Sequence, residues 1–163
     1  MRAVSVFALV AGLMLSAGGV VSPAQDKKGE KKGEKEKPQP PERPPLDAKE
    51  WTKLKSGVEI WDVKEGEGKE AKANSTVVVH YTGWLTDEKA TMFDSSVPRG
   101  KPNTFTLYQL AVKGWADGIA GMKPGGVRRL KIPPERAYGK EGSRGVIPPN
   151  ATLIFEIELI KSN

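Results

Sequence analysis

The chain has 163 residues, of which 37% are hydrophobic and 28% charged, with a formal net charge of +6, no cysteine and one histidine, His80. That length gives room for one domain and a smaller appendage, and the missing cysteines exclude disulfides, thiolate metal sites and a cysteine nucleophile. The charge does not mark a nucleic-acid binder: residues 1–45 hold 8 basic and 5 acidic residues and the rest 18 and 15, so neither part forms a basic stripe interleaved with aromatics.

In chain order, an apolar run from Val4 to Val21 follows Arg2, and Ser22 and Ala24 supply small side chains. Residues 1–24 therefore read as a signal peptide cleaved after Ala24, with a retained membrane anchor as the alternative. Cleavage implies an extracytoplasmic location, periplasmic or secreted in a bacterium. Residues 25–45, "QDKKGEKKGEKEKPQPPERPP", contain no aliphatic or aromatic side chain. They cannot offset ordering entropy by burial, so a charged, proline-rich disordered linker is expected. The folded domain is expected over 46–163.

Within that domain "VEIWDV" (58–63), "TVVVHYTGWL" (76–85), "NTFTLY" (103–108), "VRRLKI" (127–132) and "TLIFEIELI" (152–160) read as strands. In the last, Leu153, Phe155, Ile157 and Leu159 alternate with Glu156 and Glu158, the period-two pattern of a half-buried strand. One segment has helical spacing: Val112, Trp115, Ile119 and Met122, stopped by "KPGG" at 123–126. Several strands and one short helix predict an α+β fold, a twisted antiparallel sheet wrapped around that helix. Trp115 falls in the first helical turn and faces the sheet. It can fill core, floor a pocket or offer a stacking platform.

No phosphate loop is present, because Pro124 follows Lys123 where Ser or Thr is required. The serines of "FDSS" (93–96) have no base that the sequence places beside them, and His80 reads as a hydrogen-bonded structural histidine. What remains is aromatic: Tyr81, Phe93, Trp115, Tyr138 and Phe155, together with Asp94, suit an apolar pocket with a few polar groups.

The motifs "VHYTGWL" (79–85), "FDSS" (93–96), "VKGWADGIAGMKPGG" (112–126), "IPPERAYG" (132–139) and "VIPPNATLIFEIELI" (146–160) resemble, in the same order, those of the FKBP-type peptidyl-prolyl cis-trans isomerases. The similarity runs over roughly residues 50–163. It implies a pocket between sheet and helix, with Trp115 as its floor and Tyr81, Phe93, Val112, Ile147 and Phe155 as its walls. Asp94 and Tyr138 match the family's polar contacts, and Arg99 matches an arginine that pairs with the aspartate. Catalysis is then expected from Asp94, Tyr138, Tyr81 and Trp115, without cofactor or metal. Implied partners are proline-containing polypeptides and a macrolide ligand, and the protein is expected to be a monomer.

Several positions depart from the family pattern. Asn103 stands where many members carry a rim aromatic, Leu110 where an acidic residue is common, and Ser143-Arg144 where histidine-proline is often seen. The segment 84–93 is about two residues longer than in short members. Two other functions remain open at this point: a proline-motif binding module without catalysis, and a holdase chaperone.

Overall fold

A computed structural model of the chain describes residues 37–143 and 145–163. Seven strands form one antiparallel sheet: β1 (Thr52–Lys53), β2 (Glu59–Lys64), β3 (Thr76–Leu85), β4 (Met92–Ser95), β5 (Asn103–Thr106), β6 (Val127–Ile132) and β7 (Leu153–Ser162). The order is β1-β2-β6-β7-β3-β4, and β5 shares the free edge of β3 with β4. β5 takes the residues Thr76–Val79 of β3, and β4 takes Thr82–Trp84. The long central strands β3 and β7 pair from Val77↔Ser162 to Leu85↔Leu153, so the positions that alternate into the core come from both.

The predicted α+β architecture is the one observed. The helix, however, is shorter than its apolar stripe suggested: α1 covers only Gly114–Ile119. Val112 and Met122 are buried on the same side but lie outside it. Helical dihedrals stop at Ala120, which is extended, and Gly121 follows at φ 84°, a left-handed conformation that suits glycine. The Arg128 guanidinium then caps the end, donating to Gly118 O at 2.9 Å and Ala120 O at 3.2 Å. "KPGG" instead makes the turn into β6, with Gly126 N donating to Lys123 O. Two strands escaped the sequence reading because they are short: β1 has two residues, and β4 has four with one bulged.

α1 lies unusually close to the sheet because it carries glycine where it crosses β6. A Cβ on Gly118 would sit 2.5 Å from the Leu130 side chain, and one on Gly114 2.4 Å from Ile132. Ile119, Leu130, Ile132, Leu153, Ile157 and Leu159 are fully buried between helix and sheet.

The opposite face of the sheet is covered by polar pairs and by the chain that enters the domain. Trp61, Arg129 and Glu156 stand side by side on β2, β6 and β7: the Arg129 guanidinium lies 4.4 Å from the Trp61 ring centroid and 2.7 Å from Glu156 Oε2. Lys131 pairs with Glu59 at 2.8 Å, lies over the Trp51 ring and donates to Leu46 O. Trp51 Nε1 donates to Pro45 O at 2.9 Å, and Arg43 Nη1 to Leu85 O at 3.4 Å. Pro44 is buried. The last residues of the expected spacer are thus seated on the sheet as an arm. The expected signal peptide and the rest of the spacer lie outside the described residues.

Candidate active site

Trp115 rests in the first turn of α1, 4% exposed, with its indole against three rings in edge-to-face contact. Tyr81 from β3, Phe105 from β5 and Phe155 from β7 each have their centroid 5.3 Å from it, at interplanar angles of 74°, 84° and 85°. Such pairs prefer this geometry because the positive ring edge meets the negative face of its neighbour. Phe93 joins the group by packing edge-on to Phe155 at 5.5 Å.

The local sequence explains how Phe93 and Asp94, consecutive residues, both reach the cavity. Simple alternation would send one of them to the far side. In the β3–β4 ladder Gly83 opposes Asp94 and Trp84 opposes Met92, so Phe93 is the extra residue of a bulge and is re-aimed inward. Gly83 provides the space: a Cβ there would lie 2.6 Å from Phe93 Cζ and 2.8 Å from Phe155 Cε1.

Leu110, Ala111 and Val112, between a 3₁₀ turn at Leu107–Gln109 and α1, form one wall, and Tyr138 stands at the mouth. Asp117 of α1 holds the approach to Tyr138 through its ion pair with Arg136, whose Nε donates at 2.8 Å. The cavity is open at this side and has a volume of about 280 Å³. A second cleft, about 170 Å³, lies between Asp62, Lys64, Glu70, Lys123 and Arg128. Its charges largely satisfy one another, with Arg128 on both oxygens of Asp62 and Lys123 3.9 Å from Glu70.

Beside the aromatic cavity a small polar network fixes one corner. Tyr81 Oη donates to Asp94 Oδ2 at 2.5 Å, and Arg99 donates to Asp94 Oδ1 at 3.0 Å and to Tyr81 Oη at 3.3 Å. Burial and the hydrogen bond and charge of Asp94 push the Tyr81 hydroxyl up to about 12. Burial also pushes the Asp94 carboxyl upward, but the bonds from Tyr81 and Arg99, the Arg99 charge and the Ser95 N–H together hold it below the usual carboxylate range. The carboxylate stays ionised and the phenol neutral across ordinary pH.

Trp115 Nε1 is sealed from solvent with no hydrogen-bond partner, so it does not face the open cavity. Two groups of cavity-lining residues are unspent. Among the described residues the backbone N–H of Val112 has no backbone acceptor, and the Tyr138 hydroxyl bonds no side chain.

Of the residues expected from sequence, Tyr81, Phe93, Asp94, Val112, Trp115, Tyr138 and Phe155 line the cavity. Arg99 stands behind Asp94 and holds it. Ile147 is buried in the core but does not line the cavity; its backbone is bonded both ways to Ser143, closing the loop at 143–147. Phe105 was missed, although its place in "NTFTLY" puts it on the inward face with Leu107. One expectation is corrected: Ser96 does have a base beside it, His80 Nδ1 at 3.0 Å. The pair is no nucleophile. Ser96 is fully buried, and its Oγ also accepts the Tyr81 N–H at 2.9 Å.

Residues 67–160 match the family described as FKBP-type peptidyl-prolyl cis-trans isomerase. A protein named FK506-binding protein from Neisseria meningitidis serogroup B is 55% identical over 106 residues, which are 64% of this chain and 95% of that one. Among solved structures, FkpA from Escherichia coli superposes with a TM-score of 0.65 at 41% identity, over 72% of this chain and 53% of that one. The N-terminal domain of FKBP42 from Arabidopsis thaliana does so with a TM-score of 0.67 at 30% identity, over 76% of this chain and 99% of that one. With the fold, the ordered motifs and these matches in agreement, the chain belongs to the FKBP-type peptidyl-prolyl cis-trans isomerase family.

Proposed function

We propose that this chain accelerates rotation about X–Pro bonds of exported polypeptides in the cavity over Trp115, without covalent chemistry. The supporting observation is a cavity lined by six aromatic rings that holds hydrogen-bond groups but no serine, threonine, cysteine, lysine or histidine. Rotation about a peptide bond is opposed by amide resonance, a barrier of roughly 18–20 kcal/mol, and uncatalysed X–Pro exchange takes tens to hundreds of seconds. No bond is made or broken, so neither acid nor base is required.

In the twisted amide the carbonyl is less polar than in the planar one. An apolar, water-poor cavity disfavours the planar amide relative to the twisted one. The proline ring lies on the Trp115 indole, and the flanking rings exclude water. The Val112 N–H and the Tyr138 hydroxyl bond substrate carbonyls and hold the chain on either side of the rotating bond. Asp94, with both oxygens engaged by Tyr81 and Arg99, keeps those groups in place and sets a fixed negative charge beside the reacting carbonyl.

Export rests on the apolar N-terminal run and the small residues at Ser22 and Ala24. A macrolide ligand in the same cavity is supported by the relative named FK506-binding protein.

The test follows cis-to-trans relaxation of a Leu-Pro or Phe-Pro peptide with and without the protein. Acceleration is expected, and Asp94→Ala should lower kcat/KM about tenfold, equivalent to about 1.4 kcal/mol, with little loss of stability. Binding of the peptide at its uncatalysed relaxation rate would make the domain a proline-binding module instead.

A further inference from the structure

Close to the aromatic cavity, but sharing no lining residue with it, lies an open groove lined by Arg99, Lys101, Pro102, Asn103 and Thr104. Arg99 stands between the two: it lines the groove and bonds Asp94 and Tyr81, which line the cavity. β5 joins the two as well. Asn103 opposes Val79 and Phe105 opposes Val77, so they project from the same face, about 6–7 Å apart along the strand. Phe105 packs on Trp115, and Asn103 is the next side chain outward.

The charge in this groove is one-sided. No acidic residue lines it. The Arg99 guanidinium is engaged by Asp94, whereas the exposed Lys101 ammonium has no carboxylate partner among the described residues. The half-buried Asn103 amide likewise has no hydrogen-bond partner among them. In the cleft at Asp62 and Arg128, by contrast, cations and carboxylates are paired within the fold.

We infer that this groove is a substrate subsite favouring an acidic side chain one to three residues from the isomerised proline, bound by Lys101 and Asn103. The inference rests on the proposed isomerase reading. An extended substrate advances about 3.3 Å per residue, so a side chain at that separation reaches from the Trp115 cavity to Lys101. The pairing is exposed and sensitive to salt: one such pair supplies about a two- to five-fold preference, and the preference shrinks as ionic strength rises.

The experiment uses the full chain and Leu-Pro peptides carrying Glu, Gln or Lys, one at a time, at each of three positions on either side of the dipeptide. Both relaxation rate and binding, by quenching of tryptophan fluorescence, are measured. At one position at least, Glu should exceed Gln about two- to five-fold in kcat/KM and Lys should fall below it. Lys101→Glu should invert the order of Glu and Lys; because this is a ratio within one variant, partial unfolding does not imitate it. Equal values for Glu and Gln everywhere, or a Glu advantage that survives Lys101→Glu, overturn the subsite. If no peptide relaxes faster, the isomerase reading fails separately. The binding data then judge the groove: tighter Glu peptides that lose their advantage in Lys101→Glu support it, and equal affinities overturn it.

Discussion

The two faces of the sheet both carry tryptophan, and they use it in opposite ways. On the outer face Trp51 and Trp61 meet edge to face at 5.7 Å, each lies under a cation, and Trp51 donates its indole N–H to Pro45. The cations are themselves paired with Glu59 and Glu156. On the inner face Trp115 is more deeply buried, yet its N–H is unpartnered, and a cavity lies against the ring. The outer face spends its paired tryptophans on contacts within the chain; the inner face sets one against a cavity and leaves the Val112 N–H and the Tyr138 hydroxyl unspent beside it. Aromatic content alone does not separate a site from a scaffold. Unspent hydrogen-bonding capacity beside empty apolar volume does.

The sharpest way to break this contrast is to remove each tryptophan in turn. Trp115→Ala should destabilise the domain by about 3–5 kcal/mol, the range for deleting a large buried aromatic, and abolish peptide binding. Trp51→Ala, or removal of residues 37–45, should cost about 1–2 kcal/mol through lost burial and hydrogen bonds and leave the relaxation rate unchanged. Urea unfolding and the peptide assay read both. Equal effects on activity from the two faces would erase the distinction.

A smaller effect sharpens it within the inner face. Gly83→Ala inserts a methyl group against the Phe93 and Phe155 rings and should cost about 1–3 kcal/mol by overpacking. Peptide affinity should fall in parallel, as those rings are displaced into the cavity. Unaltered affinity would mean that their placement does not shape the site.

The smallest effect is in the pH dependence of stability. Asp94 is held below its ordinary value of 3.8 in the folded state. In the window between 3.8 and its folded value the unfolded chain therefore binds more protons, and stability declines as pH falls through it. Tyr81 is pushed from 10.0 up to about 12. There the folded chain binds more protons, so stability declines as pH rises between those values. Asp94→Asn should flatten the acid limb in urea titrations. An acid limb of undiminished slope would assign it to other carboxylates.

Much of this architecture is legible in the sequence because burial leaves a periodic trace. β7 is the clearest case: its alternation of Phe155, Ile157 and Leu159 with Glu156 and Glu158 is the observed division between core and outer face. The features that escaped are those without a period. The bulge at Phe93 places two consecutive residues on one face, which alternation cannot express. The helix ends early because of Gly121, while the stripe Val112–Trp115–Ile119–Met122 continues in burial but not in conformation. Phe105 shares the inward side of "NTFTLY" with Leu107, but that alternation marks burial and does not separate a cavity wall from core. The arm at Pro44 carries no apolar run, and its docking depends on two partners distant in sequence, the Leu85 carbonyl that accepts from Arg43 and the Lys131 ammonium that donates to Leu46. The site itself emerged from ordered motifs, since it is assembled from four strands and a helix turn that no local window spans.

The most direct test of the central claim is the exchange rate of a Leu-Pro peptide, measured while a macrolide is titrated into the protein, with Trp51→Ala alongside. Catalysed exchange should fall to the uncatalysed rate as the cavity over Trp115 fills, identically in the wild-type chain and in Trp51→Ala. Catalysis that persists with the macrolide bound in that cavity would place the reaction elsewhere and contradict it.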